Sequence, residues 1–296
     1  MSIAIIGAGF AGLASAYYLS EKFQVTLFDL KGIGGGASGI SSGLLHPYPG
    51  EKGRRSWHAA EALEAARELL KIAEQELGQP VANYEGILKV GEILDPGEDV
   101  EQLSPDTFLI KSGITVFPEL YLQGLWLACQ KRGVKLVIQN IKTLDELKEF
   151  DQIVLAAGAG IRNFPHHLKI SFVRGQVLTC LLDQPLERSI SAKRYKAVTP
   201  TPNICHLGAT YERDLIDDMP CKETAIGLLQ PETQVLDCRA GIRVTNPAHY
   251  FPILEQIDPK TWVLTAFGSR GLLYHAYFGK KLMEKFSCPV VLNKNS

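Results

Sequence analysis

Apolar residues fall into short runs whose spacing changes character along the chain. Ile3-Ala4-Ile5-Ile6 is continuous and of strand length, and residues 13–19 after it carry helical periodicity. Val25-Thr26-Leu27-Phe28, β-branched and aromatic, predicts a second strand. Over residues 56–77, Leu63, Ala66, Leu70, Ala73 and Leu77 recur every three or four positions, an amphipathic helix ended by Gly78 and Pro80. Residues 84–115 read as short strands with turns at Asp95-Pro96-Gly97 and Ser104-Pro105-Asp106. A helix over 119–131, stopped by Gly133, leads into a strand over 134–138. The apolar run Ile153-Val154-Leu155-Ala156-Ala157-Gly158 suits a buried parallel strand whose small-residue end abuts a ligand. Residues 170–236 alternate polar and apolar, most clearly over 173–181 and 197–211, as antiparallel strands do. A strand over 262–267, a turn at Gly268-Ser269-Arg270-Gly271 and a helix over 272–286 close the pattern.

Strands alternating with helices at both ends, and strands alone between them, predict an α/β protein. A Rossmann-type domain is expected from residues 1–80, 114–168 and 237–296, with a second, mainly antiparallel β domain from 81–113 and 169–236. The first strand runs into Gly7-Ala8-Gly9-Phe10-Ala11-Gly12, a G-x-G-x-x-G in the strand–turn–helix context that gives the motif meaning. Its first glycine permits the sharp turn, its second the approach of a pyrophosphate, and its third the packing of helix on strand. The amides at the helix start then face the phosphates. Asp29, with Leu30 beside it, ends the second strand where an acid accepts hydrogen bonds from ribose hydroxyls and disfavours a 2′-phosphate. The unit reads as a binder of an adenine dinucleotide, FAD or NAD. Residues 32–43 are seven parts glycine or alanine and three parts serine, yet pass directly into Leu44-Leu45-His46-Pro47. A linker has that composition too. The better reading is a loop in which Ala37, Ser38, Ser42 and Gly43 continue the phosphate cradle, with Leu44 opening a segment under the cofactor's ring.

Composition narrows the classes. With 296 residues, 46% of them hydrophobic, the chain can bury a large core. A net charge of −1 leaves nucleic-acid contact to local patches, of which Lys52, Arg54 and Arg55, with Lys193, Arg194 and Lys196, are the candidates. Six cysteines (Cys129, Cys180, Cys205, Cys221, Cys238, Cys288) without a C-x-x-C pair read as reduced thiols, not as a metal site or disulfide framework. With a strand beginning at residue 3 and no apolar run of membrane-span length, a cytoplasmic protein is expected.

These motifs, taken in order, resemble FAD-dependent amine oxidases of the D-amino-acid oxidase and glycine oxidase type over nearly the whole chain. They are Gly7-x-Gly9-x-x-Gly12 with Asp29, Ala37-Ser38-Gly39, the strand ending at Gly158, Gly208-Ala209-Thr210, Gly241-Ile242-Arg243 and Gly268-Ser269-Arg270-Gly271-Leu272. Within that family, Arg174-Gly175-Gln176-Val177 and Phe267 to Leu272 are most similar to the C-terminal FAD domain of a bifunctional enzyme that makes methylaminomethyl-uridine at tRNA wobble positions. The chain lacks that enzyme's methyltransferase domain, and Asn246-Pro247-Ala248-His249-Tyr250-Phe251 departs from the family's acidic turn.

The resemblance implies a glutathione-reductase-like FAD-binding domain, non-covalent FAD, and oxidation of the C–N bond of a carboxylate-bearing amine. It places Arg243 as the clamp on the substrate carboxylate, apt because a planar fork grips that group bidentately. It places Arg270 by the flavin's pyrimidine edge, and His46 along the ring, where a histidine could move a proton. Tyr211 would line the substrate cavity. Each residue has a plainer alternative: an interface arginine, a helix cap, a packed core histidine and an edge-strand tyrosine. The substrate is either the carboxymethylaminomethyl group of a modified tRNA or a free small amine such as glycine, sarcosine or a D-amino acid. Oxygen or another acceptor would take the electrons. Two rivals stand beside this reading, a nicotinamide-dependent dehydrogenase and a non-catalytic FAD-binding protein, and the oligomeric state is left open.

Overall fold

Ile3, Ala4 and Ile5 are fully buried because the strand they form lies in the middle of a sheet. In this computed structural model, which describes residues 1–213 and 217–287, the sheet runs Ile253–Gln256, Thr261–Thr265, Gln152–Leu155, Ser2–Ile6, Gln24–Asp29, Lys135–Ile138. All neighbours are parallel except the edge pair Ile253–Gln256 with Thr261–Thr265. From Ser2–Ile6 the chain moves one way to Gln24–Asp29 and later the other way to Gln152–Leu155. That reversal opens a crevice at the strands' C-terminal ends, the place where such sheets bind ligands.

Helices Phe10–Leu19, Ala59–Leu77, Pro118–Lys131 and Gly271–Ser287 share one core with this sheet. The helix expected over 56–77 begins at Ala59, since Ser56 donates its N–H to Pro47 (2.8 Å) and His58 is left-handed (φ 45°). Its apolar stripe is rich in alanine, so neighbours come close: a Cβ on Gly124 would lie 3.0 Å from Ala73 Cα and 2.9 Å from its carbonyl carbon.

An eight-stranded sheet follows the order Val235–Thr245, Ser171–Leu181, Ile204–Gly208, Tyr195–Val198, Ser189–Ser191, Ile87–Val90, Thr107–Ile110, Val100–Ser104. It is antiparallel except where Ser189–Ser191 pairs with Ile87–Val90. Leu44–Leu45, Ile114–Val116 and Ala82–Asn83 form a small third sheet. The expected boundary at residue 237 requires correction. It cuts Val235–Thr245, whose length pairs with Ser171–Leu181 from Ser171↔Thr245 to Cys180↔Val235, so residues 237–245 belong to the antiparallel sheet. Sequence reading also missed the helix Lys222–Leu229, which covers Leu178, Cys180, Cys205 and Leu207, and the edge strand Ile253–Gln256. Among the described residues no helix is long and apolar enough to cross a membrane. Cys288, and positions 214–216 of the expected alternation, lie outside the described residues.

His275 shows how tightly polar groups are matched in the helical core. Its Nδ1 donates to Leu272 O (2.9 Å), so Nε2 accepts from the Tyr121 hydroxyl (2.5 Å). Burial holds its pKa down to about 4. Two further histidines, buried His46 and partly buried His206, are likewise lowered to about 4 by desolvation first and then by a nearby cation, Lys89 and Arg239 respectively.

Two outcomes follow. Gly124→Ala should lower stability by about 1–3 kcal/mol through overpacking of the helix contact, read as a lower urea midpoint at unchanged slope. The unfolded chain takes up protons on these histidines before the folded one does. Their contribution is therefore present above the ordinary histidine range near pH 6.5 and lost as pH falls towards 4. The thermal midpoint should drop across that window, and a flat profile would contradict the neutral assignment.

Candidate functional site

The crevice is floored by glycines that no other residue could replace. Gly7 has φ +107°, and a Cβ there would overlap the Ala156 carbonyl, while one on Gly12 would overlap the carbonyl of Gly7. On Gly9 it would come 2.6 Å from Ser38 Oγ. Ser38 Oγ accepts the Phe10 N–H at 3.1 Å, and Leu13 N–H bonds to Gly9 O at 3.0 Å. The amides of Ala11 and Gly12 find no backbone acceptor among the described residues, which leaves donors of the kind a phosphate needs. A Cβ on Gly271 would touch the Phe10 ring at 3.8 Å, so two helices, Phe10–Leu19 and Gly271–Ser287, begin side by side and aim their positive ends at one place.

The other expected cofactor residues surround this floor with unequal parts. Asp29 accepts from Ala8 N–H on Oδ2 (2.8 Å) and from Lys31 and Gly32 N–H on Oδ1 (2.8 and 2.9 Å). Three of a carboxylate's roughly four acceptor positions are thus used to fold the loop, leaving room for one ribose hydroxyl. Leu30 is exposed, and Phe10 packs its ring against Tyr121 and His275, so its backbone alone faces the crevice. Gly34 N–H ties the loop with Ala37 and Ser38 to Ala8 O (2.9 Å). Gly43 accepts from Val116 N–H (2.9 Å), and Leu44 pairs with Thr115. Ser42 hydrogen-bonds the hydroxyl of Tyr195. Ala157 and Gly158 follow the Ala156 carbonyl that abuts Gly7. Gly268, Ser269 and Arg270 form one 3-10 turn, and Leu272 is buried behind it.

A cavity of about 140 Å³ opens where the two sheets meet, bordered by Val173, Tyr211, Arg243, Tyr250, Phe267 and Arg270 among others. Arg243 Nη2 donates to Thr210 O (2.9 Å), and the guanidinium carbon lies 5.7 Å from the centre of the Tyr211 ring. Arg270 Nη1 donates to Tyr250 O (2.5 Å), while its buried Nε has no partner among the described residues. Neither arginine meets a carboxylate among the described residues. Burial lowers the pKa of both, the cost of a cation removed from water without a counter-ion. An anion entering this cavity would meet two guanidinium groups that nothing else neutralises.

His46 is not among the residues bordering that cavity. Its Nδ1 accepts from Tyr48 N–H (3.2 Å), so a neutral ring carries its proton on Nε2. Sequence reading missed two neighbours. Tyr195, whose hydroxyl lies by Ser42 and near Arg243, was hidden within Lys193-Arg194-Tyr195-Lys196, a stretch that reads as charged surface. Lys89 is buried with Gly50 O as acceptor (2.8 Å) and faces His46. Of the expected cationic patches, Arg194 bonds to Leu229 O and Lys196 to Glu232, whereas exposed Lys52, Arg54 and Arg55 make no ion pair among the described residues.

The profile of a family described as FAD dependent oxidoreductase matches residues 2–285. Among solved structures, glycine oxidase from Geobacillus kaustophilus superposes with a TM-score of 0.76 at 18% identity, over 96% of this chain and 94% of that one. Iminodiacetate oxidase from a Chelativorans species gives 0.77 at 17% identity, over 98% of this chain and 97% of its own. L-α-Glycerophosphate oxidase from Mycoplasma pneumoniae, a structure with FAD bound, gives 0.77 at 18% identity, over 98% and 96%. At such identities the likeness is one of fold.

Ser38→Ala removes the acceptor for Phe10 N–H at the helix start. Loss of a capping oxygen should cost about 1 kcal/mol of stability and should weaken retention of an adenine dinucleotide on gel filtration. Full retention would remove Ser38 from the cradle.

Proposed function

Because the chain belongs to the FAD-dependent oxidoreductase family, we propose that it oxidises the C–N bond of an amine that also carries a carboxylate. The observation that carries this reading is Arg243: a partly buried guanidinium, held by one backbone carbonyl, bordering a small cavity and unpaired with any acid among the described residues. A carboxylate would satisfy it bidentately and fix the carbon next to nitrogen in one orientation.

The glycine floor fits the cofactor. Side chains at positions 7 and 12 would collide with the backbone of the turn itself, the amides of Ala11 and Gly12 at the helix start have no backbone acceptor among the described residues, and Asp29 keeps one acceptor position for ribose. When bound, FAD supplies the two-electron acceptor. Arg270 and the start of Gly271–Ser287 would favour negative charge at the adjoining end of the cavity. Cys238 supports non-covalent binding: it projects from the face of its strand opposite to Arg243, towards Gln176 Oε1 (3.7 Å). No carboxylate or histidine borders the cavity among the described residues, so a general base is not provided there. Two cations close to the bound amine would instead lower its pKa and favour the neutral form that can be oxidised.

Two carriers of the amine remain. A free glycine-like amine matches the size of the cavity. A carboxymethylaminomethyl group on tRNA is favoured by exposed Lys52, Arg54 and Arg55, without ion pairs among the described residues, and by exposed Trp57, which packs on Phe251, the neighbour of cavity residue Tyr250. Cations interleaved with an exposed aromatic ring suit a single-stranded polynucleotide.

The anaerobic visible spectrum of the flavoprotein tests both. Bleaching of the flavin by sarcosine, glycine or D-alanine identifies a free amine, bleaching by the modified tRNA alone identifies RNA, and bleaching by none supports a non-catalytic FAD protein. Arg243→Ala should keep its FAD but lose about 10²-fold in kcat/KM for the bleaching substrate, the scale of a charge-assisted hydrogen-bond pair. Unchanged kinetics would remove Arg243 as the clamp.

A further inference from the structure

The sheet face turned away from the cavity carries a charge network that reaches the cavity through a single peptide carbonyl. Arg174 and Gln176 project from Ser171–Leu181 on the face opposite to Val173. Residues 210–212 return beside them and continue the ladder. Thr210 N–H donates to Gln176 O (3.1 Å), Arg174 N–H to Glu212 O (2.8 Å) and Glu212 N–H to Arg174 O (3.0 Å). Alternation then puts Thr210 and Glu212 on the network face and Tyr211 on the cavity face.

The side chains complete the network. Arg174 donates to Glu212 Oε2 from Nη2 (2.8 Å) and Nε (3.2 Å), and Gln176 Nε2 donates to Glu212 Oε1 (3.1 Å). The Thr210 hydroxyl donates to Glu212 Oε1 (2.5 Å) and accepts the Gln176 N–H (2.8 Å). Thr210 is thereby fixed from both sides. Its own carbonyl accepts the one hydrogen bond that Arg243 makes among the described residues.

We infer that Thr210 and Glu212 are positioning residues for Arg243: they lock the Thr210 peptide so that its carbonyl sets the plane of the guanidinium and leaves the remaining N–H groups for a ligand carboxylate. The inference rests on the reading of Arg243 as the carboxylate clamp. A free arginine side chain loses rotamer entropy when fixed, and a rigid acceptor meets that cost before the ligand arrives. Glu212 serves in a second way. Its two oxygens are occupied by Arg174, Gln176 and Thr210 on the far face, so the carboxylate one residue from Tyr211 does not neutralise Arg243. Arg174, paired with Glu212 and Asp217, absorbs that charge in place of Arg243.

The experiment is titration calorimetry of the FAD-loaded protein with acetate and with acetamide, a neutral probe of the same shape. The parent protein should bind acetate more tightly, and Arg243→Ala should abolish the difference. Thr210→Val and Glu212→Gln should each weaken acetate by about tenfold, the worth of one well-placed hydrogen bond, with acetamide unchanged. Thr210→Ser, which keeps the hydroxyl, should restore the parent affinity. Parent-like acetate binding by Thr210→Val alongside loss in Arg243→Ala would overturn the positioning role and leave the clamp standing. Equal weakening of acetate and acetamide would also overturn it, as general damage to the fold. Undiminished discrimination in Arg243→Ala would remove the clamp itself.

Discussion

The site depends on the register between Ser171–Leu181 and Val235–Thr245. Directly opposed residues share a face, so Val173 with Arg243 points to the cavity, and Arg174 with Ile242, Gln176 with Ala240 and Leu178 with Cys238 point away. A slip of one residue in Val235–Thr245 would carry Arg243 to the face of Arg174, and one in Ser171–Leu181 would turn Arg174, Leu178 and Cys180 away from theirs. Burial of Leu178, Cys180, Cys205 and Leu207 beneath that helix makes the slip costly. So does the Arg174–Glu212 pair, which would lose its partner in a place shielded from water. Hydrophobic patterning on one face therefore sets the chemistry of the other.

Glycines join this sheet to the crevice. Gly175 and Gly241 are opposed, and both are sites of close approach. A Cβ on Gly175 would lie 3.0 Å from Arg243 Cζ, so the guanidinium lies across that glycine. A Cβ on Gly241 would lie 3.2 Å from Ala37 Cα and collide with Ile40, so the glycine–serine loop lies across the second. The same loop supplies Ser38 to the start of the first helix and hangs from Ala8 by Gly34 N–H. Arg243 and the glycine turn at residues 7–12 are thus connected through one short loop, and the distance between the proposed carboxylate clamp and the proposed phosphate cradle is set by backbone packing. Long side chains alone could not fix it so well.

Local signals were legible in the sequence where local physics decides. The central parallel strands, the four long helices and the turn at Gly7 to Gly12 follow from periodicity, caps and glycine placement. Non-local pairing was not legible. Residues 237–245 read as the start of the cofactor domain's last segment, but their membership of the antiparallel sheet comes from pairing with a strand more than fifty residues away. Ile253–Gln256 is an edge strand ending in Glu255 and Gln256, too polar and short to announce itself. Lys222–Leu229 is an eight-residue helix made by packing on the sheet rather than by propensity. Tyr195 looked like surface because three of its neighbours are cationic, yet the strand's alternation turns its ring inward. Arg243 and Arg270 were found by motif, while their lack of acidic partners appears only in three dimensions.

That geometry changes what one motif can say about substrate. Arg174-Gly175-Gln176 suggested a relative acting on tRNA. Under the clamp proposed for Arg243, each residue has a role that any carboxylate-bearing amine would require. Arg174 occupies Glu212, Gly175 makes room for the Arg243 guanidinium, and Gln176 holds both Glu212 and Thr210. The motif therefore reports the head group and is silent on what carries it. On that reading the carrier would be met elsewhere, at Trp57 against Phe251 and at the exposed cations Lys52, Arg54 and Arg55. On the proposed reading, head group and carrier would be encoded in separate segments, one fixed by sheet register and the other on a loop, so the same clamp would serve a free amino acid or an amine attached to a polymer.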